Sequence, residues 1–387
     1  MSLDYGLSEE QQMFRDALRS FLASEWSAEE MKRAWDHKTD YPLRIYRKMG
    51  ELGWLGLIIP ERYGGMGLGW IEIAILFEEL GRALLKGPFI GSMVLGAQAV
   101  LLSGSEAQKQ ELLPRIAAGD IILAWADVEA GVSHDLQLVT TKATVQDGYF
   151  SLVGQKLFVT NMRWANYVMT VARLEGGAQQ DRGLGIFLVD TASNGLTYRL
   201  MDGIDGEELA EVNYDKVVVA EKYLLGTVGA DELANILENC KIAYSAEMVG
   251  GAERALELSI AYGNTRYQFG RLIGSFQAIQ HKLATVAMLI ERSRWLTYYA
   301  AYLSTQGIDC RAERNMAYLA AGEAYRLASA EGVQIHGGSG CMRIHEVGRH
   351  FQRAKALQLK LEPAYVSREK IAQVLEEKGA KYGVQIY

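Results

Sequence analysis

Apolar residues recur along the first third of the chain at three- and four-residue intervals. Phe14, Leu18, Phe21 and Leu22 form one stripe and Ile73, Leu76, Phe77 and Leu80 another, the spacing of helices that bury one face. The first stripe follows Ser8-Glu9-Glu10-Gln11, which reads as a capping box with Ser8 as N-cap and Gln11 reaching back to it. Helical patterning continues to about residue 118, interrupted by the glycine-rich loop PERYGGMGLG at 60–69. From about residue 121 the period changes to that of strands. In VTTKATVQDGYFSLVGQKLFVTN, Asp147-Gly148 stands between two strand-like runs, a strong hairpin signal, and LGIFLVD and LTYRL continue the strands. After Leu233 long helical patterns return. The pattern therefore predicts an α+β chain with an N-terminal helical domain at 1–120, a middle β-domain at 121–222 and a C-terminal helical bundle at 223–387.

Composition narrows the possible functions. A length of 387 residues suits two or three domains with sizeable cores. The formal charge of -7 comes without a basic block, which argues against nucleic acid and anionic membrane as partners. The first residues lack a basic start followed by an apolar core, and no apolar run approaches the ~20 residues of a bilayer span, so a soluble, cytoplasmic protein is expected. Cys240, Cys310 and Cys341 are odd in number and far apart, which argues against a disulfide framework or a zinc site. In HEVGRH, His345 and His350 are five apart, so on a helix their rings diverge by ~140° and no metal site is expected. None of the glycine-rich segments fits G-x-G-x-x-G, so a Rossmann site is not supported.

Four segments in order, PERYGGMG (60–67), GQKLFVTN (154–161), TRYQFGRLIGSFQAIQ (265–280) and QIHGGSG (334–340), resemble the acyl-CoA dehydrogenase family over essentially the whole chain. The resemblance implies FAD, an acyl-CoA substrate, a 2-enoyl-CoA product and an electron-transferring flavoprotein as partner. By position, Phe158 resembles the aromatic packed on the isoalloxazine, where tryptophan is more usual, and Thr160 the residue whose hydroxyl meets the hydride-accepting nitrogen. The two are also simply alternate residues on one strand face. Trp125 and Val128 fall in the segment implied to border the cofactor. Arg266 can offer its planar fork to the pyrophosphate. Phe269, Gln277, Gln334 and Gly338 resemble further FAD contacts, contributed in the family by a neighbouring subunit, so an oligomer is implied. Lys241 resembles a cationic contact to the CoA nucleotide.

Two segments depart from the family's pattern. In AWADVEAGVSHD (124–135) Asp135 and Gly131 persist, but Val128 replaces a usual threonine and His134 a usual serine; His134 is carried as a substrate-loop candidate, with an exposed loop histidine as the alternative. In QRAKALQLKLEPAY (352–365) the family's common catalytic base falls on Leu361, and Glu362 follows it. Val347, Phe351, Ala354 and Leu361 read as one apolar stripe, so Leu361 is expected to face inward as part of the substrate wall and Glu362 to turn aside, unless Pro363 swings it in. A minority of the family places the base on the helix near residue 240, where this chain has Cys240, a thiol that stays mostly protonated at neutral pH. Glu247 lies two helical turns beyond Cys240 on the same face, and a carboxylate desolvated there would suit a base meeting a weak carbon acid. Glu247 and Glu362 are thus the candidate bases, each alternatively a structural acid. The readings left open are a homotetramer using Glu247, a heterotetramer in which a paralogous subunit supplies the base, and an assembly subunit without turnover.

Overall fold

The computed structural model describes residues 6–37, 41–131, 136–146, 148–175, 183–342 and 345–382. Among the described residues six α-helices come first: α1 (Glu9–Glu25), α2 (Ala28–His37), α3 (Tyr41–Glu51), α4 (Trp70–Arg82), α5 (Ala97–Ser103) and α6 (Glu106–Ala118). Eight strands follow: β1 (Leu123–Ala126), β2 (Lys142–Gln146), β3 (Tyr149–Thr160), β4 (Tyr167–Glu175), β5 (Leu184–Asp190), β6 (Leu196–Asp202), β7 (Glu208–Ala220) and β8 (Leu224–Val228). The chain then enters α7 (Ala230–Gly263), a short hairpin of β9 (Tyr267–Gln268) and β10 (Arg271–Leu272), and α8 (Gln277–Thr305), α9 (Arg311–His336), α10 (Glu346–Gln358) and α11 (Ala364–Tyr382).

The predicted capping box is present: the Gln11 amide donates to Ser8 Oγ at 3.2 Å and Gln11 Oε1 accepts from the Ser8 amide at 3.0 Å. Leu18 and Leu22 are buried, and so are Ile73, Leu76, Phe77 and Leu80 on α4. The predicted hairpin also forms, with Gln146 pairing Tyr149 and Gly148 at φ +82°; Asp147 lies outside the described residues.

Two compact units emerge. The first takes in α1, α2, α4 and the chain from Lys241 onward. Here α8, α10 and α11 pack on α9, and α4 on α8. Arg294 and Tyr298 of α8 close on Glu78 of α4 at 3.1 and 2.8 Å. The crossing of α4 and α7 is tight enough to exclude any side chain at two places. A Cβ on Gly81 would sit 2.0 Å from the Glu247 carbonyl oxygen, and one on Gly250 would sit 1.8 Å from that of Glu78.

The second unit contains α3, α5, α6 and the sheet, ordered β6-β7-β3-β2-β4-β5-β8, with β1 pairing β4 in parallel beside β2. The sheet runs through Val228, past residue 222, because β8 pairs back on β5. Periodicity does not reveal one feature, a π-helical segment at Ile90–Gly96, whose residues after Ile90 are all buried. It lies against β1: Ser92 Oγ accepts from the Leu123 amide at 2.9 Å, and a Cβ on Gly91 would meet the Leu123 carbonyl oxygen at 2.6 Å.

Strand β3 is irregular near its C-terminal end. Lys156 pairs Val212 but Val159 pairs Ala210, so β3 holds one residue more than β7 across this interval, a β-bulge. Phe158 sits in it at φ +58°, a backbone conformation that costs a bulky L-residue of order 1–2 kcal/mol.

Candidate functional site

In the sheet unit, four of the residues singled out from sequence lie on β1, the chain leaving it, and the end of β3. Val159 points into the core, while Phe158 on one side of it is 56% exposed and Thr160 on the other is half-buried. The Leu157 amide donates to the Val128 carbonyl at 2.8 Å, which ties the chain after β1 to the bulge. Trp125 on β1 is buried, yet its indole N–H meets no hydrogen-bond acceptor among the described residues. An unanswered buried donor and an aromatic ring held outward in a strained conformation fit a polar, planar cofactor such as a flavin laid against these strands. His134 and Asp135 lie outside the described residues.

In the helical unit, Arg266 and Gln277 are exposed on either side of the β9–β10 hairpin. Phe269 at its tip is 89% exposed, with φ +52°, and is followed by Gly270 at φ +80°. Such a ring exposed on a tight two-residue turn suits contact with a group outside this chain. Gln334, near the end of α9, and Gly338 beyond it are exposed as well. A Cβ on Gly338 would meet no atom of this chain within 4 Å, so packing within the chain does not require glycine there. His350 is buried against the Tyr325 hydroxyl at 2.8 Å, and the His345 side chain caps α10, so the two rings serve separate partners.

The acids differ from expectation. Ile236, Cys240, Ala243 and Glu247 do share the buried face of α7. However, Glu247 is not an isolated carboxylate on an apolar surface: its Oε1 receives Arg353 Nε at 2.9 Å and Nη2 at 2.6 Å, both groups being buried. Gly250, three residues further along α7, sits at the α4–α7 crossing. The Cys240 thiol donates to the Leu237 carbonyl at 2.9 Å.

The expected orientation of Leu361 and Glu362 is reversed. Helix α10 ends at Gln358, so helical periodicity does not extend to these positions. Glu362 is 4% exposed while Leu361 is half-buried, and Phe351, counted in the apolar stripe, is exposed on the flank of α10. Three donors close on Glu362: Lys241 Nζ at 2.7 Å, Lys370 Nζ at 2.6 Å and Ser367 Oγ at 2.5 Å. Burial alone would raise its pKa, but the Lys241 ammonium and the hydrogen bonds from Lys241, Lys370 and Ser367 outweigh it and hold the carboxyl below the usual range. Lys241 Nζ also reaches Asn315 Oδ1 at 2.7 Å, so the ammonium expected to meet a CoA nucleotide is instead committed to the interior. The amide of Leu361 donates to the Tyr318 hydroxyl at 3.4 Å, which itself donates to the Leu357 carbonyl at 2.8 Å.

The partners of these acids come from distant parts of the sequence. Arg353 is 106 residues from Glu247 and Lys241 is 121 from Glu362, separations at which no periodic signal survives.

Three family models match the chain in order: acyl-CoA dehydrogenase N-terminal domain over residues 8–120, middle domain over 124–217 and C-terminal domain over 229–375. A probable acyl-CoA dehydrogenase of Bacillus subtilis (strain 168) is 33% identical over 367 residues, covering 92% of this chain and 95% of that protein. Butyryl-CoA dehydrogenase from Megasphaera elsdenii superposes with a TM-score of 0.89 at 27% identity, covering 96% of this chain and 100% of the other. A chain of the ChsE4-ChsE5 complex from Mycobacterium tuberculosis shares the fold with a TM-score of 0.87 at 24% identity, covering 97% and 99%. No helix among the described residues is long and apolar enough to cross a membrane.

Proposed function

The chain belongs to the acyl-CoA dehydrogenase family, FAD-dependent flavoproteins that dehydrogenate acyl-CoAs, and from that premise we propose that it serves in a heteromeric enzyme whose catalytic base comes from a paralogous subunit. The observation that carries this reading is that both candidate bases of this chain are buried in ion pairs, Glu247 with Arg353 and Glu362 with Lys241 and Lys370. Arg353 donates twice to Glu247, so that carboxylate is already engaged in the interior, and at Glu362 the Lys241 ammonium and the hydrogen bonds from Lys241, Lys370 and Ser367 outweigh burial and lower the pKa, which makes it a weaker proton acceptor. Leu361, at the family's common base position, has no basic group at all.

When bound, FAD would supply the acceptor for the hydride that leaves the β-carbon as the α-carbon loses its proton, the chemistry that gives a 2-enoyl-CoA. This chain's part is to bind and orient. In the sheet unit, Trp125, the Val128 backbone, Phe158 and Thr160 would hold the ring system. In the helical unit, Arg266, Phe269, Gln277, Gln334 and Gly338 would reach the dinucleotide of a neighbouring subunit. Arg266 does so best, because its fork matches two phosphate oxygens. Exposed Met288, Trp295 and Tyr302 recur every seven residues along α8, an apolar stripe that supports burial against further subunits in a tetramer. The structural neighbour from Mycobacterium tuberculosis is itself a ChsE4-ChsE5 complex, consistent with pairing of two different chains. Electrons would pass on to an electron-transferring flavoprotein, and fatty or steroid side-chain thioesters are the substrates that suit the reading.

The test is to measure acyl-CoA-dependent dye reduction by the FAD-loaded chain alone and co-assembled with a paralogue that carries glutamate at a base position. Activity confined to the co-assembly is expected. Equal activity of the chain alone, abolished in Glu247→Gln, would assign the base to Glu247 instead.

A further inference from the structure

One buried pair of charges lies outside the acid-base question. Glu129 and Lys156, both in the sheet unit, are 5% and 0% exposed, with Lys156 Nζ 2.6 Å from Glu129 Oε1. The carboxylate also accepts from the Thr140 amide at 2.7 Å, the Thr140 hydroxyl at 2.5 Å and the Thr141 amide at 3.0 Å. Lys156 Nζ makes a second bond, to the Asp127 carbonyl at 3.2 Å. One ion pair thus joins three pieces of chain: the segment leaving β1, the segment entering β2, and β3 immediately before its bulge. Burial alone would raise the Glu129 pKa, but the Lys156 ammonium and the threonine donors outweigh it and bring it to about 2. The carboxylate stays charged throughout the physiological range.

The strained residue lies two positions further along. The Leu157 amide, between Lys156 and Phe158, donates to the carbonyl of Val128, between Asp127 and Glu129. Gly154, on the other side of Lys156, presses against Thr141, where a Cβ would come within 2.5 Å of the threonine Oγ1. A bulky residue at φ +58° persists only where its surroundings over-determine the backbone. Here the restraints converge on Lys156 and Leu157.

We propose that Glu129 and Lys156 are the positioning pair of the flavin-facing wall: they hold the Val128 carbonyl and the Leu157–Phe158 bulge in the arrangement that turns the Phe158 ring toward the isoalloxazine. Neither side chain touches the reacting atoms. The inference rests on the proposed placement of the flavin against Phe158. A merely structural pair could be exchanged for apolar residues of similar volume with little effect beyond stability, and that separates the two roles.

The experiment uses the full chain with FAD. Glu129→Gln, Lys156→Met, Lys156→Arg and the apolar double variant Glu129→Leu/Lys156→Met are compared with Phe158→Ala. The readouts are FAD affinity from quenching of flavin fluorescence, the visible circular dichroism of the bound flavin, and melting of the apo form. Glu129→Gln, Lys156→Met and the double variant should weaken FAD binding about 10- to 100-fold, as supporting contacts behind a bound group do, and alter the dichroic band as Phe158→Ala does. Lys156→Arg should retain most of both. The double variant leaves no uncompensated charge, so it reports even where a single variant fails to fold. If Phe158→Ala moves affinity and dichroism while the pair variants change only apo melting, the pair is structural and the inference falls. If Phe158→Ala moves neither, the placement of the flavin fails and takes the inference with it.

Discussion

Replacing Glu362 with glutamine separates a structural acid from a catalytic one. The carboxylate is 4% exposed and lies 2.7 Å from Lys241, a side chain that is itself buried. The amide removes the charge but keeps an oxygen, and Asn315 remains 2.7 Å from the ammonium, so Lys241 retains neutral acceptors and loses its counter-charge. Breaking a buried pair from one side costs ~3–5 kcal/mol. Lys370 is partly solvated and adds little to this, and the surviving neutral hydrogen bonds favour the lower end, about 3 kcal/mol. For a cooperative unit of this size that is a fall in melting temperature of roughly 6–12 °C. Adding Lys241→Met should restore part of it, because the double variant no longer buries an ammonium without its counter-charge. Differential scanning calorimetry of the FAD-loaded chain and the turnover of the co-assembled enzyme would be measured together. An unchanged melting temperature with turnover reduced ~100- to 10,000-fold, the scale of a lost general base, would refute the structural role and make Glu362 the base.

Three further outcomes follow from the same geometry. Leu361→Glu places a carboxylate at the family's common base position without disturbing the Glu362 cluster, so the FAD-loaded chain alone should gain acyl-CoA-dependent flavin reduction; stopped-flow absorbance checks it, and no gain over the parent would count against a missing base. Phe158→Gly removes the strain that Phe158→Ala retains, so the apo glycine variant should be the more stable by about 1 kcal/mol in urea while both bind FAD weakly; an alanine variant of equal or greater stability would contradict the strain. Glu129 and Glu346 have folded-state pKa values brought to about 2 from 4.5, Glu129 by Lys156 and threonine hydrogen bonds and Glu346 by His350 and Arg254, each against the opposing effect of burial. A depressed carboxylate stabilises the fold above its unfolded pKa and stops doing so as the pH falls to its folded value. Stability should therefore decline from pH 4.5 toward 2, and less steeply in Glu129→Gln, as read from urea midpoints across that range.

The elements legible in the sequence are those set by local chemistry. Ser8 and Gln11 cap α1 through contacts three residues apart, and Asp147-Gly148 marks the hairpin because its glycine at φ +82° suits the turn. The alternation of Phe158, Val159 and Thr160 could likewise be read before the structure. The strained bulge that carries Phe158 could not, since it comes from packing of Lys156 and Leu157 on the chain after β1. Extrapolating the α10 periodicity to Leu361 and Glu362 fails because that helix stops at Gln358, and there the buried charge of Lys241 decides which side chain turns in. Glu247 lies on the buried helix face that its spacing predicts, but its ion pair is not legible there, because Arg353 is 106 residues away in sequence.

The most direct measurement is an anaerobic visible spectrum of the purified, FAD-loaded chain, titrated with short, medium, branched and steroid-side-chain acyl-CoAs. If the base belongs to a partner subunit, the flavin stays yellow with every thioester and bleaches once a paralogous subunit bearing the glutamate is co-assembled. Bleaching of the chain alone by any of them would contradict the account and return the search for a base to Glu247.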